Sequence, residues 1–377
     1  MRLIESIAPI YFVLILVELV YVRIKRKDFY HYEDSIVDLS LGVLSRIFDG
    51  LILLGIVATY QYLYSFFGWG KENLNWITNP NSSVHWVVLF ILLDFLFYWA
   101  HRFSHEIKIL WASHVVHHSS EEFNLTVALR QSFVRNIGIG IFYLPLAVFG
   151  FPVVSYLIID ALNRTYQFFV HTRAIGKLPA WFESIFVTPS HHRVHHAMNP
   201  EYIDKNYAGV FIFWDKLFGT FKEETVPPRY GLVTQLRNFD PIFCQIHVFK
   251  DMASDFWNTK FKWQAIRSFF SYPSVRPIDL IPKTKIMRID QLYRPDPNGL
   301  GFRIYLFIQL LVPTIFTLYF LKKLGEYNVW QIISIIYLLV FSFVSLGVLI
   351  TKRKSALLYE MTKFIFLSFL LVFFFYP

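Results

Sequence analysis

Cysteine and charge are both scarce in this sequence. Cys244 is the single cysteine, which excludes an internal disulfide and any cysteine-ligated iron–sulfur cluster. Charged residues make up 17% of the 377 positions, against about 25% in ordinary soluble domains. There is no G-x-G-x-x-G dinucleotide fingerprint and no H-E-x-x-H zinc-hydrolase pattern. No cytochrome-like haem segment, internal repeat or low-complexity tail is present either. An enzyme built from this chain that needs electrons must take them from a separate donor.

What fills the space is apolar. The sequence is 55% hydrophobic and 19% aromatic, with a mean hydropathy of +0.42, and its long apolar runs predict a polytopic membrane protein of all-α class. The net charge of +9 does not point to nucleic acid. Its positive residues cluster beside apolar runs, as at Arg23–Lys27 and Lys352–Lys354, where they set topology and favour anionic headgroups. No basic stripe with interleaved stacking aromatics stands outside those runs, so no nucleic-acid partner is expected.

Taken in order, Ile7–Val22 is a first apolar run. No small-residue cleavage site follows it, so it is expected to be a retained span ending in the cytoplasm. A second span over Ile36–Phe67 carries Asp38, Arg46 and Asp49, and Gly68–Ser83 reads as a loop. A third, Val84–Ala100, runs into the first histidines. Ile137–Val170 is broken by Pro145, Gly150 and Pro152, which predicts two short helices in a hairpin that returns His171 to the side it started from. On the returning arm Asp160, Asn163, Arg164 and Gln167 predict a buried polar seam. Ile242–Phe270 has the composition of an interfacial helix, or equally of a solvated helix covering the histidine-rich region. Tyr272–Pro297 reads as an ordered linker. Phe302–Leu321, Val329–Ile350 and Ala356–Phe375 complete the spans, running in–out, out–in and in–out. The expected organisation is N-terminal spans over 1–83, a histidine-rich helical domain over 84–240 on the cytoplasmic side, an interfacial helix and linker over 241–300, and C-terminal spans over 301–377.

Eight histidines fall into three boxes: His101 and His105; His114, His117 and His118; His192, His195 and His196. Positions i, i+3 and i+4 share a helix face, so each box is expected to aim its ring nitrogens in one direction. Imidazole suits iron, zinc, copper and nickel. Eight such ligands exceed the four of a tetrahedral zinc, whereas two irons fit the count. His171 is a further candidate ligand. His191, out of register with its box, is a weaker one. Asp94, Tyr98, His101 and His105 lie on one stripe, and Asp94 is expected to orient a ligand imidazole or else to hydrogen-bond a neighbouring helix. Glu106 could ligate, orient or cap. Ser119–Glu122 reads as a helix stop and restart, and Ser190 as the cap of the helix bearing the third box.

The strings HRFSH, HVVHH and HRVHH resemble the fatty acid hydroxylase/sterol desaturase superfamily of membrane di-iron oxygenases. HHSSEEFNLTVALRQS, TPSHHRVHHAMNPEYIDKNYAGVFIFWDKLFGTF and Tyr230-Gly231-Leu232 are similar to its alkylglycerol monooxygenase branch and that branch's bacterial relatives. The resemblance covers Asp94–Leu232. It implies that His101, His105, His114, His117, His118, His192, His195 and His196 bind two irons, with His171 as a further ligand and Glu106 as a needed residue. It also implies O₂-dependent hydroxylation of a lipid C–H, on an ether lipid giving a fatty aldehyde and glycerol. Tetrahydrobiopterin is the reductant the branch implies; an external redox protein is the alternative. The compartment would be the inner membrane in a bacterium or the endoplasmic reticulum in a eukaryote. A sterol or fatty-acyl hydroxylase or desaturase is the competing reading. A metal transporter fits less well, because transporter sites lie near the bilayer midplane and these boxes follow the end of a span.

Overall fold

The computed structural model describes residues 2–280, 299–351 and 354–375. Most of the expected linker Tyr272–Pro297 and the basic pair at 352–353 lie outside them. Among the described residues every regular element is helical, and the only sheet-like pairings are two isolated bridges, Phe186 with Phe211 and Ala197 with Tyr230.

Helix α1 (Arg2–Ile24) is followed by α2 (Tyr32–Phe67), which bends by 42° between Gly50 and Ile52. The segment expected as a loop after α2 instead holds two single-turn helices, Gly70–Asn73 and Asn75–Thr78. The Thr78 hydroxyl closes them by donating to the Gly70 carbonyl at 3.0 Å. Helix α3 (Ser83–Glu106) carries the first histidine box in its last turns, and α4 (Lys108–His118) carries the second. Extended backbone at Ile107 (φ −114°, ψ 117°) separates them. The expected helix restart after Ser119–Glu122 does not occur; only a 3₁₀ turn forms, at Val127–Leu129. Side chains there capture the backbone instead, since Ser120 Oγ accepts from the Glu122 N–H at 3.1 Å and Asn124 Oδ1 from the Thr126 N–H at 2.9 Å. Such local bonds compete with the helical ladder.

The broken apolar stretch forms the expected hairpin. Its outgoing arm is α5 (Arg135–Gly140), a 3₁₀ turn and α6 (Leu144–Val148); its return arm is α7 (Val153–Phe169). The reversal passes through Gly150 at φ +93°, where a Cβ would also stand 2.6 Å from the Lys71 backbone nitrogen. Only glycine meets both conditions. Helices α8 (Pro189–His195) and α9 (Phe213–Leu217) are short and follow α7. The stretch expected as one helix is two, α10 (Pro241–Asn258) and α11 (Lys262–Phe269). Asp279 holds the break open by accepting from the Thr259 hydroxyl at 2.6 Å and the Lys260 N–H at 2.7 Å. The segment after α11 docks on the start of α4, where the Ser271 carbonyl accepts from the Lys108 N–H at 2.9 Å. Its neighbours Trp257, Trp263 and Phe270 point outward. Helices α12 (Leu300–Lys322), α13 (Val329–Ile350) and α14 (Ala356–Phe375) complete the chain.

Three of these helices, α3, α12 and α13, are long and apolar enough to cross a membrane, and the two halves of bent α2 together make a fourth. Leu311, Val312, Ile315, Ile333 and Tyr337 face outward from α12 and α13, as lipid-facing residues do. The largest apolar core joins α2, α4, α10, α12 and α13 through Leu41, Leu44, Val116, Cys244, Leu306 and Phe343. A second packs the hairpin against α2 and α3 through Tyr60, Leu93, Tyr143 and Phe151. The histidines lie between these two cores.

Candidate metal centre

Nine imidazoles converge, in two groups. One gathers His101, His105, His114, His118 and His195; the other His117, His171, His192 and His196. All nine residues are buried, and within each group the offered ligand atoms lie within 4.8 Å of one another. The hairpin therefore delivers His171 beside the boxes, and His191 joins neither group.

The boxes do not each serve one direction. In the second, His114 and His118 enter one group and His117 the other; in the third, His192 and His196 share a group and His195 crosses over. Helical pitch gives the reason. At about 100° per residue, an i,i+4 pair diverges by about 40°, whereas i+3 and i+4 stand about 100° apart. A close pair thus stays together while the residue just before its second member turns to the neighbouring group. Stacking of His118 on His196, with centroids 4.4 Å apart, joins the two.

Carbonyl oxygens fix the tautomers. His101 Nδ1 lies 2.7 Å from the Tyr207 carbonyl, His195 Nδ1 3.0 Å from that of Lys205, His117 Nδ1 3.1 Å from that of Arg130, and His171 Nδ1 2.6 Å from that of Gln167. A carbonyl only accepts, so each Nδ1 carries the proton and each Nε2 turns a lone pair inward. His117 and His171 then face each other lone pair to lone pair across 3.2 Å. His105 Nε2 and His195 Nε2 are buried with no hydrogen-bond partner.

Protonation does not relieve this arrangement. Burial holds His114, His117, His118, His192, His195 and His196 well below the usual imidazole range, and neighbouring imidazoles add to the effect. Burial brings His171 down to about 4. A cation does relieve it. A metal about 2.1 Å from each nitrogen, with neighbouring ligands at right angles, separates adjacent nitrogens by about 3.0 Å. The closest Nε2 pairs within the groups are 2.9 to 3.2 Å apart. The donor set fits two metals that favour imidazole, such as iron.

The carboxylates behave differently from expectation. Asp94 touches no imidazole. Its oxygens accept from the Val210 and Phe211 N–H groups, Trp214 Nε1 and Asn163 Nδ2, at 2.9 to 3.1 Å. These four donors fill a carboxylate's acceptor sites, so its role as an orienter of imidazole is corrected to a tie between α3, α7 and the loop before α9. Gly209 permits the approach, because a Cβ there would stand 2.8 Å from Asp94 Oδ1. That loop also holds Tyr207, the carbonyl partner of His101, so Asp94 acts on the metal site through backbone. Glu106 lies in neither group; it accepts from Arg102 Nε at 2.9 Å, one residue and about 100° round from His105.

The polar seam is present on α7. Arg164 pairs with Asp160 at 2.7 Å, Gln167 donates to Asn163, and the Gln167 carbonyl receives His171. At the start of α8 the cap is Thr188 rather than Ser190, because Pro189 takes the first helical position. The Thr188 N–H donates to His191 Nδ1 at 3.3 Å, which occupies that nitrogen and explains why His191 stands apart. Sequence reasoning missed the four orienting carbonyls, since backbone groups leave no mark in residue identity. The positive φ at Asp204 (58°) and Asn206 (56°) is the nearest signal, in an Asp-Lys-Asn turn flanking Lys205 and Tyr207.

Residues 86–220 match the family model described as fatty acid hydroxylase. The alkylglycerol monooxygenase of Homo sapiens is 41% identical over 275 residues, covering 73% of this chain and 60% of that protein. That of Xenopus tropicalis is 34% identical over 373 residues, covering 97% of this chain and 81% of the frog protein. An ornithine lipid hydroxylase of Rhizobium tropici is 31% identical over 140 residues, covering 37% of this chain and 41% of that protein. This chain thus spans less than two thirds of the human relative's length. No solved structure matches.

Proposed function

Because the chain belongs to the fatty acid hydroxylase family, on the branch of the alkylglycerol monooxygenases, we propose that it is a membrane di-iron monooxygenase that cleaves ether lipids. His101, His105, His114, His118 and His195 hold one iron, and His117, His171, His192 and His196 the other. Iron bound there supplies O₂ activation and the removal of hydrogen from an unactivated C–H bond. The chain's own part is to fix and shield. The carbonyls of Tyr207, Lys205, Arg130 and Gln167 keep protons on Nδ1, so that Nε2 remains a ligand. Buried walls, with Phe97, Leu129, Ile139 and Phe168 lining the cavity beside the imidazoles, keep water from the reacting carbon.

In the overall reaction, substrate, O₂, two electrons and two protons give the hydroxylated lipid and water. On an alkylglycerol the hydroxyl enters beside the ether oxygen, and the resulting hemiacetal collapses to a fatty aldehyde and glycerol. Tetrahydrobiopterin supplies the electrons, or a redox protein does. The basic run from Arg23 to Lys27 supports a site at the cytoplasmic edge of the membrane. The observation that carries the reading is the pair of buried all-imidazole groups.

The test is to purify the protein in detergent, count iron, and offer a 1-O-alkylglycerol with tetrahydrobiopterin in air. Two irons per chain and pterin-dependent release of fatty aldehyde are expected. Iron at or below one per chain refutes the di-iron reading. Hydroxylated acyl lipid without aldehyde favours the second reading, an acyl-lipid hydroxylase, which the similarity to the ornithine lipid hydroxylase supports.

A further inference from the structure

The cavity that exposes His101, His114, His117, His171 and His192 is also lined by three arginines, Arg46, Arg135 and Arg164, from α2, α5 and α7. Two of them have acidic partners. Arg164 pairs with Asp160 at 2.7 Å. Arg46 faces Asp49 at 3.8 Å, and Asp49 also accepts from Asn136 Nδ2 at 2.6 Å. Arg135 is different. Its Nε is buried with no hydrogen-bond partner, and among the described residues no carboxylate oxygen lies within ion-pairing distance of it. Three guanidiniums meet two carboxylates, which leaves one positive charge over. That charge lies close enough to be felt at both His117 and His171.

Asp160 and Asp49 act on Arg135 only from beyond contact, and a half-buried cation with no carboxylate in contact is costly in a protein held among apolar helices. A neutral glycerol headgroup leaves that cost in place. A phosphate removes it, because the planar guanidinium fork matches phosphate oxygens in a bidentate contact. Phe97, Ile139 and Phe168 line the same cavity and suit the first methylenes of an alkyl chain.

We propose that the cavity selects an anionic, phosphate-bearing ether lipid, with Arg135 as the principal phosphate contact and Arg164 beside it. The inference rests on the lipid-oxygenase reading for the identity of the tail. The anion site itself stands on the unpaired guanidinium.

The experiment compares wild type with Arg135→Gln and Arg135→Lys in detergent, using 1-O-hexadecylglycerol 3-phosphate, 1-O-hexadecylglycerol and inorganic phosphate. Thermal unfolding reports binding, and the ratio of kcat/KM for the two lipids reports selectivity. The phosphate-bearing lipid is expected to raise the wild-type midpoint more than the neutral one does. It is expected to be preferred by roughly tenfold or more, as a charge-assisted contact implies. Arg135→Gln abolishes both differences, and Arg135→Lys keeps part of them as a point charge. Arg135→Gln alone melts no lower than wild type, since it removes an unpaired charge. A lower midpoint with the lipid-dependent difference intact makes Arg135 structural and overturns the proposal. So do equal responses to the two lipids, and so does a full shift with inorganic phosphate alone, which assigns the site to free phosphate. If neither lipid is oxidised, the proposed function falls, while the unfolding comparison still decides the anion site.

Discussion

At the scale of single residues, four of the imidazoles, those of His101, His117, His171 and His195, are set by a carbonyl on their far side. His117 and His195 belong to different groups, and each is fixed through Nδ1. On the proposed di-iron reading, His117→Ala and His195→Ala are therefore expected to lower iron by at least one per chain, with turnover down by more than about 100-fold. Elemental analysis and aldehyde assay check this; unchanged iron in either variant removes that residue from the ligand set. Asp94→Asn is milder at the metal and harsher on the fold. An amide turns one donor toward the Asp94 partners, which all donate, at a cost of about 1–3 kcal/mol. Displacement of the loop bearing Tyr207 is expected to slow turnover by about 10–100-fold with most iron retained. A parallel loss of iron would contradict a role exerted through the backbone. The convergence of the eight box histidines was legible in their helical spacing, whereas His171, which has no such spacing, was legible only through the hairpin that returns it to the same side. How they divide between two groups was not read from it, although the pitch that divides them is elementary. For Asp94 the second of the two readings held, a hydrogen bond to a neighbouring helix through Asn163; a stripe shows which residues share a face, but not which donors arrive from elsewhere.

At the scale of elements, the loop after α4 is moored to α2 by Arg130. Its guanidinium meets Asp38 at 2.9 Å and Asp34 at 3.3 Å, and its Nε donates to the Val116 carbonyl at 3.0 Å. The carbonyl of the same residue receives His117. Removing one partner of a buried network strands the others, so Arg130→Met is expected to destabilise the protein by about 3–5 kcal/mol. The expected readout is a lowered unfolding midpoint together with weakened iron retention in the group containing His117. A variant that melts like wild type would show that the network contributes nothing net. Gly150→Ala places a side chain at positive φ and is expected to cost about 1–3 kcal/mol, read in the same melting assay. The hairpin was legible because proline and glycine punctuate it. The break between α10 and α11 was not, because Asp279, which holds it, lies about twenty residues downstream of Thr259.

At the scale of the whole molecule, the buried imidazoles make stability depend on pH. An unfolded histidine takes up its proton near about pH 6.5, whereas His171 in the folded chain does so at about 4 and the other off-span ligands are held low by the same burial. Between those values the unfolded state binds more protons, so stability rises with pH across the window. The chelator-treated protein is expected to be most stable above about pH 6.5 and to lose stability as pH falls toward 4, by about 1.4 kcal/mol per pH unit for each such group. A flat melting profile across that window would mean that the imidazoles are not buried neutral. Hydropathy made legible the spans that became α2, α3, α12 and α13, whereas among the described residues the runs expected as spans at Ile7–Val22 and Ala356–Phe375 form helices outside the set long and apolar enough to cross a membrane. The packing of N-terminal and C-terminal helices into one core around α4 depends on contacts between distant stretches, which no local pattern records.

Both groups draw on the third box: His195 completes one, and His192 and His196 the other. Neither cage can close while the ribosome has yet to make residue 196. On the proposed two-iron reading, complete loading of either group waits on translation and docking of α8. An arrested chain ending at the hairpin keeps His101, His105, His114 and His118 of one group but only His117 and His171 of the other, so, offered iron, it should hold less than the full-length chain does.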